Sequence, residues 1–170
     1  MLECFYPDEY SLSTYEIDFK NLYQQGYRSI IFDIDNTLVP HGAPADDRSR
    51  ALFRYLKEIG FDTLLLSNNK EERVSMFNQD IGVHTIWKAN KPFPAKYREA
   101  MEIMNTNTRN TLFVGDQLFT DVWGAKKAGI HTILVKPMNP KEEIQIILKR
   151  YLEKIVLFFY FRKQKKENKK

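Results

Sequence analysis

Two aspartates separated by one residue, Asp33 and Asp35, follow the apolar run Ile30-Ile31-Phe32. Such a run is typical of a buried parallel strand. At strand period both carboxylates leave the backbone on the same side, where the strand opens into a loop. Like charges this close are costly unless a cation lies between them, and Mg²⁺ prefers oxygen ligands of this kind. A strand-end turn, in which Asp and Asn bond to the backbone, is the alternative explanation of the same residues.

Hydroxyl, amide, ammonium and carboxylate side chains follow three further predicted strands. They are Ser67 and Asn68, then Lys91, and finally Asp116 and Asp121. The carboxyl ends of parallel strands meet at one edge of a sheet, which is where ligands bind in open α/β sheets. Four separate loops therefore bring complementary groups to that edge, and we expect them to surround one site.

Predicted strands alternate with predicted helices along the chain. By hydrophobic pattern the strands cover 30–32, 62–66, 83–87, 110–114 and 132–135. The helices cover 14–25, 47–59, 71–79, 95–104 and 121–129, and a long terminal helix begins at Pro140. This alternation predicts an α/β fold in which helices cover both faces of a parallel sheet.

Composition limits the class of protein. A chain of 170 residues with 43% hydrophobic and 28% charged residues suits one globular domain. The single cysteine, Cys4, excludes an internal disulfide and a thiolate metal cluster, and it fits a reducing compartment. The amino terminus does not resemble a secretory signal, and no apolar stretch reaches the roughly 18 residues of a membrane span. We therefore expect a cytoplasmic protein.

Positive charge is concentrated near the carboxyl terminus. The net charge is +4, but residues 149–170 carry nine Lys and Arg against two Glu, which leaves the preceding 148 residues at −3. A basic groove for nucleic acid on the body is therefore not expected. Apolar residues recur at helical spacing from Ile144 to Phe159, and an amphipathic helix with a basic end can bind anionic lipid. The alternative is a helix that packs on the sheet, followed by a solubilising tail.

Four motifs carry a resemblance to a known superfamily. The segment Asp33-Ile34-Asp35-Asn36-Thr37-Leu38-Val39 resembles the first motif of the haloacid dehalogenase-like (HAD) hydrolases. Ser67 is similar to their second motif, Lys91-Pro92 to their third, and Gly115-Asp116 with Asp121 to their fourth. The resemblance covers about residues 29–137. It implies a Rossmann-like three-layer sandwich with a central parallel sheet.

The resemblance also implies a role for each motif residue. Asp33 would be the nucleophile, and Asp35 the general acid and base. Mg²⁺ would be held by the carboxylates of Asp33 and Asp116 and by the backbone carbonyl of Asp35, with Asp121 acting directly or through water. Ser67 and Lys91 would bind phosphate oxygens, with Asn68 nearby. Simpler roles remain open: a turn for Ser67, a surface position for Lys91 with Lys88 as its competitor, and a helix cap for Asp121.

The spacing of the motifs leaves no room for a cap domain. About 30 residues separate Asp35 from Ser67, and predicted elements fill them, as they fill the interval from Ser67 to Lys91. This resembles the capless subfamily IIIA, and the chain as a whole is similar to the YqeG-type phosphatases of bacteria. That family is in turn similar to phosphatidylglycerophosphate phosphatases, so the resemblance implies phospholipid metabolism.

Three functions are therefore considered. The first is a Mg²⁺-dependent phosphatase for a lipid phosphomonoester, in peripheral contact with the inner face of an anionic membrane through the basic tail. The second is a soluble phosphatase for sugar, nucleotide or protein phosphates, and the third is a non-catalytic phosphate-sensing or scaffold protein.

We expect one hydrolase domain over 1–137 with an aromatic amino-terminal segment, an amphipathic helix over 138–161 and a basic tail over 162–170. The sequence indicates no oligomeric state.

Overall fold

Six parallel strands form one sheet in the computed structural model, which describes residues 2–138 and 144–167. They are β1 (Glu9–Ser11), β2 (Ser29–Phe32), β3 (Asp62–Leu66), β4 (His84–Ile86), β5 (Thr111–Gly115) and β6 (His131–Val135). Their order across the sheet is β1-β6-β5-β2-β3-β4. The five predicted strands are confirmed to within one residue at each end.

Helices connect the strands and cover both faces of the sheet. They are α1 (Phe19–Gln24), α2 (Asp47–Ile59), α3 (Glu71–Asn78), α4 (Ala95–Ile103), α5 (Trp123–Lys127) and α6 (Ile144–Glu167). The bounds of α2 agree with the prediction because both ends carry local signals. Asp46 and Ser49 form a capping box at its start, and Gly60 ends it with a φ of 111°.

Two features of the amino-terminal segment differ from the predictions. Strand β1 was not expected, because Glu9-Tyr10-Ser11 carries no apolar run; it is an edge strand that pairs with β6. The helix predicted over 14–25 is divided into a 3₁₀ turn, Thr14–Glu16, and α1. The division has a local cause, since the side chains of Ser13 and Asp18 each accept a backbone N–H bond and so start a helical segment of their own.

Alternate residues of β2 enter two separate hydrophobic layers. Ile30 and Phe32 pack with Phe53 of α2 and Phe77 of α3 on one face of the sheet. Ile31 packs on the opposite face, where the buried side chains of α4 and α5 lie. A strand buried on both sides in this way is typical of a doubly covered parallel sheet. The predicted three-layer α/β fold is confirmed.

No additional domain interrupts the motif region, all of which the structure describes. A loop, α2 and β3 fill the interval from Asp35 to Ser67, and α3 and β4 fill most of the interval from Ser67 to Lys91. The predicted absence of a cap domain is confirmed.

The terminal helix α6 extends farther than expected, to Glu167, so that much of the predicted basic tail is helical. Its predicted start at Pro140 lies outside the described residues. Among the residues that the structure describes, no helix combines the length and the apolarity needed to cross a membrane.

Candidate active site

The site lies where the sheet order changes direction. Strand β2 pairs with both β3 and β5, so the loops that follow these three strands are neighbours at their carboxyl ends. The loop after β2 carries Asp33, the loop after β3 carries Ser67, and the loop after β5 carries Asp116. All three side chains are buried. Ligands bind at such switch points in open α/β sheets.

Three buried carboxylates meet at this edge. Oxygens of Asp33, Asp116 and Asp121 all lie within 4.8 Å of one another. The hydroxyl of Thr37 contacts two of them, at 3.4 Å from Asp33 Oδ2 and 3.2 Å from Asp116 Oδ1. Oxygen ligands from several carboxylates suit a hard divalent cation such as Mg²⁺, so these residues fit a metal of that kind.

Gly115 makes this arrangement possible. A Cβ atom built at Gly115 would lie 2.6 Å from Oδ2 of Asp121, inside van der Waals contact. That same oxygen accepts the backbone N–H groups of Asp116, at 3.2 Å, and Gln117, at 3.0 Å. The missing side chain therefore lets the Asp121 carboxylate fold back against the end of β5.

Lys91 compensates part of the negative charge. Its Nζ atom lies 2.6 Å from Oδ1 of Asp33 and 2.6 Å from Oδ1 of Asp121, and its side chain is 4% exposed. Burial disfavours the ammonium, but the carboxylates of Asp121 and Asp33 outweigh it and hold the pKa of Lys91 above its ordinary value. The alternative of an exposed surface lysine at position 91 is therefore excluded, whereas Lys88 is exposed.

Burial is the main cause of the raised pKa of two carboxylates in the cluster. Loss of water raises the pKa of Asp33 to about 7, against the opposing effect of Lys91. Burial likewise raises the pKa of Asp116 well above its ordinary value, against the opposing effect of Arg150, and the Asp33 charge raises it further. Cations that reach these carboxylates therefore favour their ionised form.

Asp35 has different surroundings from Asp33. Its Oδ1 accepts hydrogen bonds from Gly42 N, at 2.8 Å, and from Nη2 of Arg73, at 2.8 Å. Its Oδ2 accepts one from Nδ2 of Asn69, at 2.6 Å. Since β2 ends at Phe32, the strand alternation assumed from the sequence does not extend to these residues, and the Asp35 carboxylate is outside the three-carboxylate cluster.

The side chains of Ser67 and Asn68 form hydrogen bonds with backbone groups of the loops around the site. The Ser67 hydroxyl accepts the backbone N–H of Asn69 at 3.1 Å, as expected of a turn residue. The Asn68 side chain forms two hydrogen bonds with the backbone of Lys91: its Oδ1 accepts Lys91 N at 2.7 Å, and its Nδ2 donates to Lys91 O at 3.3 Å. Asn68 thus fixes the loop that carries the lysine, next to a cis Lys91–Pro92 peptide bond. A phosphate-binding role for either side chain stays a prediction.

Arg150 is a site residue that the sequence did not indicate. It reaches Asp116 from α6, with Nη2 paired to the Asp116 carboxylate and Nη1 2.6 Å from the Asp116 carbonyl oxygen. Nη1 also lies 2.9 Å from Oε2 of Glu153, whose other oxygen accepts Leu118 N at 2.8 Å. This network ties the terminal helix to the loop after β5.

Thr37, Asn69 and Arg73 were also missed as site residues. Thr37 lies within the first motif, so a closer inspection of that motif could have included it. Arg73 lies in the first turn of α3, six residues after Ser67, and only the fold shows that it faces Asp35. No local signal marks Arg150.

Comparison with known proteins agrees with this geometry. A family model described as HAD-hydrolase-like matches residues 88–140. The chain is 35% identical over 154 residues to "Probable phosphatase YqeG" of Bacillus subtilis, covering 90% of each chain. It is 26% identical to "Phosphatidylglycerophosphate phosphatase 1, chloroplastic/mitochondrial" of Arabidopsis thaliana, covering 86% of this chain but 45% of that protein.

Solved structures show the same fold at low sequence identity. An uncharacterised protein from Listeria monocytogenes superposes with a TM-score of 0.55 at 17% identity, covering 69% of this chain and 84% of the other. The cobalt-bound deoxy-D-mannose-octulosonate 8-phosphate phosphatase of Haemophilus influenzae gives a TM-score of 0.53 at 14% identity, covering 65% and 69%. With the four motifs and the relation to the Bacillus protein, the chain belongs to the HAD-like hydrolases, in the YqeG phosphatase family.

Proposed function

We propose that the chain is a Mg²⁺-dependent phosphomonoester hydrolase that works through an aspartyl-phosphate on Asp33. The observation that carries the proposal is the buried contact of Lys91 with Asp33, beside the carboxylates of Asp116 and Asp121. Phosphoryl transfer depends on positioned cationic groups around the phosphate and its nucleophile, and this cluster offers both a cation and a set of metal ligands. Membership of the HAD-like hydrolases supports the same chemistry.

The metal would be held by the Asp33 and Asp116 carboxylates and the Asp35 backbone carbonyl, with Asp121 binding it directly or through water. When bound, Mg²⁺ supplies the positive charge that lets an anionic nucleophile approach an anionic phosphate. The oxygen-rich composition of the cluster supports this choice of ion over a softer metal.

The side chains of this chain supply the nucleophile, the general acid and the general base of the proposed reaction. An Asp33 carboxylate oxygen attacks phosphorus, and the bond from phosphorus to the ester oxygen breaks. Asp35 gives a proton to the departing oxygen, then takes one from the water that attacks the phosphorus of the aspartyl-phosphate and so releases phosphate. Lys91 and Ser67 bind phosphate oxygens. Contacts from Gly42, Asn69 and Arg73 fix the orientation of the Asp35 carboxylate.

A panel of phosphomonoesters assayed with Mg²⁺ and with EDTA tests this proposal. We expect turnover that requires Mg²⁺ and that Asp33→Asn abolishes, while the circular dichroism spectrum of the variant stays that of the wild type. Turnover that survives Asp33→Asn would refute the nucleophile. A chain that binds phosphate but hydrolyses nothing in the panel would instead be a phosphate sensor.

For the substrate, we propose phosphatidylglycerophosphate, hydrolysed by a capless enzyme of the subfamily IIIA type. Two observations support it: the similarity to the phosphatidylglycerophosphate phosphatase of Arabidopsis thaliana, and the absence of an inserted domain between the described motifs, which leaves room for a large substrate. We further propose a cytoplasmic protein that meets this lipid in peripheral contact with the inner face of an anionic membrane, through its basic tail. Preference for phosphatidylglycerophosphate over sugar and nucleotide phosphates is the result that supports this substrate, and the reverse preference is the result that excludes it.

A further inference from the structure

The terminal helix α6 packs on the body with one narrow face. Glu153, Val156 and Tyr160 are its buried side chains among residues 149–167. Val156 lies in a cluster with Leu118 and Leu134, and the Tyr160 ring contacts the ring of Tyr6 at 5.6 Å between centroids. These contacts hold α6 in place without covering the rest of its circumference.

The opposite side of α6, which we call the outer face, is apolar and exposed. It consists of Tyr151, Leu152, Ile155, Phe158 and Phe159, whose exposed fractions range from 43% to 62%. Their spacing of three and four residues places them on one side of the helix. Outside α6, the large exposed apolar side chains of the described residues are divided among different helices and loops. A contiguous apolar patch of the kind found on α6 marks an interaction surface.

The same face becomes basic toward the end of the helix. Seven residues, or two helical turns, after Ile155, Phe158 and Phe159 come Arg162, Lys165 and Lys166, and all three are exposed. Lys149 and Lys154 add two exposed ammonium groups near the beginning of the apolar part. The partner of the outer face must therefore offer both apolar and anionic chemistry.

We infer that the outer face of α6 docks on the surface of an anionic lipid bilayer, with its aromatic and aliphatic side chains among the acyl chains and its cations at the headgroups. Amphipathic helices with this division of side chains lie in the plane of the interface. A second copy of the chain fits less well, because two basic faces would oppose each other. Nucleic acid would match the cations but leave the aliphatic side chains without a partner.

Docking in this way would hold the candidate site at the lipid surface. Arg150, which contacts Asp116, precedes the outer face by a single residue on the same helix. A bilayer bound along α6 is therefore near the edge where the carboxylates meet. The inference deepens the proposed function by naming how a lipid phosphate reaches the site, and it rests on that function for its purpose; the docking itself can be measured without any turnover.

Flotation of the full chain with vesicles tests the inference. We expect binding to phosphatidylcholine vesicles that contain about one third phosphatidylglycerol, weak binding to phosphatidylcholine alone, and weaker binding as salt is added. The double variant Ile155→Glu/Phe158→Glu should bind anionic vesicles more weakly by roughly tenfold or more, since it puts two carboxylates into the apolar face. Tyr55→Glu/Met76→Glu, at exposed apolar positions on α2 and α3, is the matched control and should bind as the wild type does.

Each outcome decides the matter. Equal binding of the Ile155→Glu/Phe158→Glu variant and the wild type, or failure of the wild type to bind anionic vesicles, overturns the inference. So does a dimer or a complex with RNA that only the wild type forms, in place of vesicle binding. Both double variants should hydrolyse a water-soluble phosphomonoester at the wild-type rate; vesicle binding without any hydrolysis would leave the docking intact and refute the proposed function instead.

Discussion

Lys91→Met removes the ammonium group from between two buried carboxylates. Its Nζ atom lies 2.6 Å from an oxygen of Asp33 and 2.6 Å from an oxygen of Asp121. Removal of one partner of a buried ion pair typically costs about 3–5 kcal/mol, because the remaining charge stays out of water without compensation. In EDTA we expect the free energy of unfolding to fall by about that amount. For a chain of this length, this corresponds to a loss of about 6–20 °C in Tm.

The loss of stability should depend on pH in a defined direction. In the folded protein, burial raises the pKa of Asp33 from 3.8 to about 7. Between these two pH values the folded protein therefore keeps a proton on Asp33 that the unfolded chain has released. The free energy of unfolding therefore falls as pH rises from about 4 to about 7. Without Lys91 the pKa of Asp33 rises further, so the variant should be less destabilised at about pH 5 than at about pH 8.

Urea unfolding followed by circular dichroism measures both effects. Lys96→Met is the matched control, since its ammonium pairs with Glu99 on the surface, with side chains that are 41% and 42% exposed, and should contribute at most about 1 kcal/mol. Excess Mg²⁺ should restore part of the stability of Lys91→Met by supplying positive charge to the same carboxylates. Unfolding curves of Lys91→Met and wild type that coincide in EDTA at about pH 8 would refute the assigned role of Lys91.

Three further substitutions test other parts of the site. Asp35→Asn should lower kcat/KM for an alkyl phosphate by about 10²–10⁴-fold, and kcat/KM for 4-nitrophenyl phosphate less, because nitrophenolate leaves without a proton; equal losses in kcat/KM would contradict the general-acid role. Arg150→Met leaves the buried Asp116 without its guanidinium partner and should destabilise the protein by about 3 kcal/mol in EDTA, measured by urea unfolding; an unchanged midpoint would contradict the pairing. Gly115→Ala puts a Cβ 2.6 Å from the Asp121 carboxylate, so we expect a cost of about 1–3 kcal/mol and a higher Mg²⁺ concentration for half-maximal turnover; an unchanged Mg²⁺ titration would show that Asp121 can move without consequence.

Local chemistry explains which elements could be predicted. The strand before Asp33 is an unbroken apolar run, and α2 carries a cap at each end, so both follow from neighbouring residues alone. Strand β1 has no such pattern and exists because its backbone pairs with β6, a partner more than 120 residues away. Pairing with a strand so distant in the chain leaves no hydrophobic pattern in the three residues of β1.

The carboxylate cluster was largely predictable from the sequence, whereas the residues and turns that hold it in place were not. Four loops after strands had to meet at one edge, which brought together Asp33, Lys91, Asp116 and Asp121. The helix predicted to begin near Asp121 instead begins earlier, as a π-helical turn, Leu118–Val122, and the Asp121 carboxylate turns back to accept two backbone N–H groups that precede this turn. The position of Arg150 depends on how α6 packs, which the spacing of its apolar residues does not determine.

The most direct test of the mechanism is chemical capture of phosphorylated Asp33. Acid quenching during turnover of 4-nitrophenyl phosphate, followed by borohydride reduction and peptide mass spectrometry, converts an aspartyl-phosphate to homoserine at the residue that carried it. We predict homoserine at position 33 in Mg²⁺, none in EDTA, and none in Asp33→Asn. Turnover that proceeds with position 33 unmodified, or with the phosphoryl group captured on another residue, would contradict the account.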